Sequence, residues 1–253
     1  MSVQIWRNLE NLILVAGHAI YISENSDNPQ ADSNWILQPF QTGEPPFYIE
    51  HIQCGVELAS RDAQALLVFS GGQTRHEAHT KSEAESYLRL AEHFNWWEKV
   101  DLKGRATTEE YARDSFENLL FSICRFRQCV GKYPQHITII SWAFKARRFE
   151  LHREAIGFPL SQFTFIGANN PVDLASAEQN EQSVTAAFST DPYGYGESKE
   201  NNLLGDKRRA RNPFNRAHPY AETCPELAGL LTHRKTGLYA GELPWSAQKS
   251  LQT

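Results

Sequence analysis

The stretch ITIISWAFKARRFELH (Ile137–His152) decides the fold. Its opening run is apolar and β-branched, the composition of a strand covered on both faces. From Ser141 the spacing becomes helical, with Phe144, Ala146 and Phe149 available to face a core. A buried strand running into a helix is the unit of a parallel α/β sheet. The helix carries its charge at the unusual end. Lys145 and Arg148 share a face in the first turns, where the macrodipole is positive and an exposed cation costs about 0.3–1 kcal/mol. An acid or an anionic ligand beside them offsets that cost, so the pair predicts an anion site.

Three further apolar runs repeat the strand signal: LILVA (Leu12–Ala16), ALLVFS (Ala65–Ser70) and FTFIG (Phe163–Gly167). Helical patterns lie between them over 50–62, 80–93 and 108–130. The last has a stripe through Ala112, Phe116, Leu119, Leu120, Ile123, Phe126 and Val130. Alternation of this kind predicts a mostly parallel sheet with right-handed crossovers: an α/β, Rossmann-like three-layer fold. Beyond about residue 168 the pattern decays. ANNPVDLASAEQNEQ offers turn residues and one polar helix, and DPYGYGESKENN, RNPFNRAHPY and LYAGELPW are loop-like but aromatic. The expected organisation is an α/β domain over 1–170 and a C-terminal extension over 171–253 packed on it. Residues 190–245 are expected across or beside the mouth of the sheet, with Arg211 or Arg216 adding positive potential.

Composition bounds the function. The 253 residues are 41% hydrophobic and 22% charged, enough for a full core without metal or disulfide support. A net charge of -5 argues against nucleic acid as a partner. The basic run KRRAR (Lys207–Arg211) is read as a solvated loop, with a localisation signal or an anion clamp as the rival. The four cysteines form no CxxC and have no histidine at zinc-ligand spacing. Cys124 and Cys129 lie roughly 140° apart around a helix, so they are expected as reduced thiols, with no metal site. NLILVAGHAIYI is too short to span a bilayer and no secretory signal is visible, which predicts a cytoplasmic protein without membrane contact.

Ligands of a parallel sheet bind beyond the carboxyl ends of its strands. There the sequence places GHAIY (Gly17–Tyr21), with His18 at the lip, then SGGQTR (Ser70–Arg75), then SWAFKARR. The glycines let backbone N–H groups approach a ligand closely. These loops predict one crevice lined by His18, Ser70, Gly71, Gly72, Glu117 and Lys145. Thr80/Glu83, Thr107/Glu110 and Asp114/Glu117 stand at capping-box spacing, and capping is their local reading.

The ordered set LVFSGG (Leu67–Gly72), SEA (Ser82–Ala84), DSFEN (Asp114–Asn118) and SWAFKARR (Ser141–Arg148) resembles the DUF218 family of YdcF-like proteins over roughly residues 10–167. FKARRFELHREAIGFP, RNPFNRAHPY and LPW are similar to its soluble fungal branch. Lys145 stands where bacterial members carry His, one extra residue separates Ser141 from Phe144, and Ser115 replaces Thr. His18 follows the first strand where a small residue is usual. The resemblance implies a Rossmann-like fold, S-adenosylmethionine as candidate cofactor and, in bacteria, a link to envelope or lipid-carrier metabolism. No GxGxG follows the first strand, which argues against a methyltransferase of the usual kind. The resemblance also sets Glu83 and Glu117 on motif positions, with Gly17, Asn118 and Ser141 as further ligand contacts. Together these readings predict a small-molecule enzyme binding an anionic, nucleotide-like or phosphate-bearing ligand. Lys145, Arg148, Arg211 and Arg216 would supply the positive charge, the Ser70–Gly72 backbone the cradle, and Glu117 or His18 the proton transfer. Hydrolysis or group transfer is the expected chemistry. A non-catalytic module binding S-adenosylmethionine or another metabolite is the alternative.

Overall fold

In the computed structural model, which describes residues 6–24, 27–195, 203–235 and 237–246, the four apolar runs are parallel strands of one sheet. They are β1 (Asn11–Ala16), β4 (Ala65–Ser70), β6 (His136–Trp142) and β7 (Phe163–Asn169). A fifth, β5 (Ala106–Glu109), completes the order β5-β4-β1-β6-β7. A helix pattern was expected to begin at 108. Instead Thr107 and Thr108 extend the sheet, their β-branched side chains alternating inward and outward, so Thr107 lies in a strand ending at Glu109 and caps no helix. A short antiparallel pair, β2 (Ile20–Tyr21) and β3 (Trp35–Ile36), lies in the excursion after β1.

The sheet has helices on both faces because successive strand residues point opposite ways. Leu12 and Leu14 of β1 enter one core cluster, Ile13 and Val15 the other. The second face is covered by α1 (Pro45–Arg61) and α2 (Glu83–His93). On α1, Gly55 passes so close to β1 that a Cβ would stand 2.4 Å from a Val15 methyl. The first face is covered by α3 (Ser115–Val130) and α4 (Ala146–Ala155), joined by Phe188 of α5 (Leu174–Thr190). Helix α3 starts on Asp114, whose carboxylate accepts the Glu117 N–H at 2.9 Å, and stops at Gly131, which takes the left-handed φ of 88°.

The chain after β7 divides in two. Tyr220, Leu227, Leu230, Leu231 and Trp245 sink into the core beside α3 and α4. By contrast α6 (Leu203–Ala210) turns toward the carboxyl edge of the sheet and carries most of the KRRAR run. That run is therefore helical and not a solvated loop. Arg208 is 3% exposed and paired to Asp114, while Lys207 and Arg211 face inward. Residues 196–202 and 236 of the expected mouth-covering segment lie outside the described residues.

Candidate functional site

From β1 the chain steps outward to β4 and β5, then returns to the other side of β1 for β6 and β7. Connections leaving β1 and β6 therefore part to opposite faces. A crevice opens between their carboxyl ends, where open α/β sheets bind ligands. A cavity of about 540 Å³ sits there, of a size for a small organic molecule. Gly17, His18, Glu83, Asn118, Ser141, Lys145, Arg148 and Arg211 all line it. Residues far apart in sequence meet because each follows, or packs beside, the end of a strand.

His18 and Lys145 form the floor contact. Lys145 Nζ is 3.3 Å from His18 Nδ1, and His18 Nε2 is 3.5 Å from Ser141 Oγ. The imidazole stacks on Trp142 with ring centres 5.9 Å apart and meets His51 edge-on. Burial, with Lys145, His51, Arg148 and Arg211 adding positive charge, holds His18 well below the usual histidine range, so it is neutral at pH 7. Burial and the neighbouring Arg148 bring Lys145 down to about 7. The β6–β7 register slips between Ser141 and Trp142, where a Cβ on Gly167 would meet the Ala143 Cα at 2.4 Å. This irregularity bends the chain at the end of β6, where Ser141 and, just beyond, Lys145 line the cavity.

The opening charge puzzle has two answers. Arg148 is offset by a protein acid: its Nε and Nη2 reach Glu181 of α5 at 2.8 and 2.5 Å. Lys145 begins α4 with no ion pair among the described residues. Arg148 thus has two of its donors committed, and Lys145 is the cation left for a ligand.

Glu83 opens α2 behind its N-cap Ser82. One carboxylate oxygen accepts from Thr74 Oγ1 at 2.6 Å; the other lies where Cβ atoms on Gly17 or Gly71 would stand, at 2.7 and 2.6 Å. Burial raises its pKa above the ordinary value against the pull of Thr74, Arg211, Arg75 and Lys145. Asn118 Oδ1 is 3.0 Å from Ser70 Oγ, which lies 2.8 Å from the buried carboxylate of Glu109.

Five expected site residues are elsewhere. The N–H groups of Gly71 and Gly72 are bonded to the carbonyls of Glu109 and Ala112, at 3.0 and 2.7 Å, so they cradle no ligand. Their glycine character serves close packing against Glu83 and Ala112. Ser70 stands behind the cavity wall with its hydroxyl directed to Glu109 and Asn118. Glu117 is fully buried, and its carboxylate is saturated by Arg113 Nε and Nη2, the Arg113 N–H and the Tyr195 hydroxyl. It moves no proton in this cavity. Arg216 lies over the Tyr111 ring at 4.3 Å and donates to the Glu110 carbonyl, away from the lining.

Several lining residues escaped the sequence reading. The long excursion between β1 and α1 supplies Phe40, which is 72% exposed at the lip, and Glu44, bonded to the Tyr48 hydroxyl with its pKa raised by burial. Arg75, Glu181 and Lys207 complete the charged wall. An excursion of that length between a strand and its crossover helix was the available signal, since such connections are ordinarily short. Among the described residues, no three His, Cys, Asp or Glu side chains come together as a metal site, and no helix is long and apolar enough to cross a membrane.

Fold and site together define a Rossmann-like α/β protein with a charged cavity at the switch point of its sheet. The uncharacterized protein YOR238W of Saccharomyces cerevisiae is 34% identical over 266 residues, an alignment covering 83% of this chain and 86% of that protein. The chain belongs to the family of that yeast protein. No family model matches the chain, and no solved structure matches it.

Proposed function

We propose that this chain is a cytoplasmic small-molecule enzyme, related to the DUF218 proteins, that binds an anionic, phosphate-bearing or nucleotide-like ligand and carries out hydrolysis or group transfer on it. One observation carries the reading. Arg75, Lys145, Lys207 and Arg211 line the cavity without an ion pair among the described residues. Of the lining acids, Asp114 and Glu181 are already paired to Arg208 and Arg148, and burial raises the pKa of Glu44 and Glu83, disfavouring their charged forms. Positive charge in excess, set back from bulk water, suits an anion held by charge-assisted hydrogen bonds. Phe40, Trp142 and Phe144 in the same lining suit a planar group. Lys207 and Arg211 take the anion, with Lys145 beside them in the lining. Neutral His18 serves as base toward water or an acceptor hydroxyl, and Glu83, raised by burial, serves as acid toward the leaving group. The free thiols suit a reducing compartment.

S-adenosylmethionine suits the cavity less well, because its sulfonium would enter a field already positive. Mass spectrometry of small molecules released from the purified protein, with calorimetric titration of inorganic phosphate and nucleoside phosphates, tests the reading. Phosphate-bearing ligands should bind and S-adenosylmethionine should not. Preference for S-adenosylmethionine, with no affinity for phosphates, would overturn it in favour of the metabolite-binding alternative. Ligand that binds and is returned unchanged after long incubation would remove the enzymatic part.

A further inference from the structure

The geometry points to a use for Lys145 beyond charge: we propose that its amine is a nucleophile that forms an imine with the carbonyl carbon of a phosphate-bearing aldehyde or ketone in this cavity. The inference rests on the anion site proposed above. A lysine that only neutralises phosphate needs to stay charged, and it is usually steadied by a carboxylate or left in water. Lys145 has neither arrangement. It is half-buried and without an ion pair among the described residues, and its Nζ points at a ring nitrogen of His18, 3.3 Å away. Arg148 and Arg211 beside it further disfavour the ammonium form, and the amine ionises at about 7, so a substantial fraction is neutral at physiological pH. Lys81, Lys103 and Lys132 differ: each has a glutamate oxygen within 3.6 Å.

The remaining groups complete the reaction. The amine lone pair of Lys145 adds to the carbonyl carbon, and the C=O π pair moves onto oxygen. Neutral His18, in the tautomer that leaves Nδ1 unprotonated 3.3 Å from the amine, takes the proton released from nitrogen. Glu83, a carboxyl raised by burial, gives a proton to the oxygen. The carbinolamine then loses that oxygen as water, which carries the equivalent of both amine protons, and a C=N bond remains. No oxidant or reductant is required. Lys207 and Arg211 stay on the phosphate.

The test uses the full chain with pyridoxal 5′-phosphate, reduction by borohydride and peptide mapping by mass spectrometry. The expected result is near-stoichiometric reduced adduct on Lys145 at concentrations that leave Lys99 and Lys103 unmodified. Excess inorganic phosphate should lower it, pyridoxal without phosphate should give at least tenfold less, and the yield should fall as pH drops below about 7. Lys145→Arg should abolish the adduct while phosphate still raises the unfolding temperature; if that variant folds poorly, mapping of the wild-type chain decides alone. Adduct spread over surface lysines, with Lys145 modified no more than they are, overturns the imine. If phosphate nonetheless stabilises the protein, the anion site survives that failure. If phosphate neither stabilises nor competes, the anion site and the proposal both fall.

Discussion

Lys145 illustrates how one side chain's burial becomes measurable in the stability of the whole protein. Its amine ionises at about 7 in the folded chain against an ordinary 10.5. Between those values the unfolded chain binds a proton that the folded chain does not, so this residue makes stability rise with pH across that window. Lys145→Met removes the dependence. The variant's advantage or deficit in unfolding free energy, relative to wild type, should therefore shift steadily in favour of wild type from pH 7 to pH 10. A difference flat across that range would mean the amine keeps an ordinary pKa. Gly17 marks the other side of the floor. A Cβ there would stand 2.7 Å from Glu83 Oε2 and 2.9 Å from the Ser70 carbonyl, so Gly17→Ala must displace a cavity acid or a strand end. Overpacking of this kind costs about 1–3 kcal/mol, and denaturant unfolding should read a loss in that range.

At the scale of elements, the start of α3 is where capping and ion pairing meet. Asp114 accepts the Glu117 N–H and also pairs with Arg208 Nε of α6 at 2.5 Å. Losing a cap alone costs about 0.5–2 kcal/mol. Breaking a buried pair from one side costs about 3–5 kcal/mol, because the remaining charge is stranded. Glu117 at 3.5 Å from Arg208 relieves part of that. Asp114→Ala should therefore lower unfolding free energy by more than about 2 kcal/mol, beyond what capping explains. Asp114→Asn keeps an acceptor for the cap and drops the charge, so its stability should fall between those of Asp114→Ala and wild type. If Asp114→Asn instead unfolds at the same denaturant concentration as wild type, the tie between α3 and α6 contributes nothing.

Across the whole molecule, the segment after β7 has two jobs that its composition did not separate. Tyr220, Leu227, Leu230, Leu231 and Trp245 buttress the core beside α3, while α6 and Arg211 form part of the cavity wall. Neutral substitution should expose that division. Arg211→Gln should weaken binding of a phosphate-bearing ligand by about tenfold or more, since hydrogen bonds to charged groups contribute about 1.5–3 kcal/mol. Arg216→Gln, at a site outside the lining, should leave affinity unchanged and slightly lower stability through its lost stacking on Tyr111. Calorimetric titration of both variants checks the pair. Unchanged affinity at Arg211 would remove α6 from the binding wall.

The sequence by itself determined the layers and the address of the cavity. Runs such as Leu12–Ala16 and Ile137–Ile140 are apolar on both alternating faces, and only a strand between two helical layers buries both. Their carboxyl ends mark where such a sheet opens, and His18, Ser141 and Lys145 line the cavity there. Strand β5 was illegible because four half-buried threonine-rich residues at an edge carry little hydrophobic signal. The fates of the charged side chains were decided only in three dimensions. Glu83 and Glu117 stand at like spacing from Thr80 and Asp114, yet only Asp114 caps its helix: Ser82 takes that place before Glu83, which faces the cavity, while Glu117 is locked by Arg113 and Tyr195. Lys145 and Arg148 share one helix face, yet only Arg148 finds Glu181. Local pattern fixes which face of an element a residue occupies. Whether an opposite charge waits there depends on another part of the chain, brought near by packing.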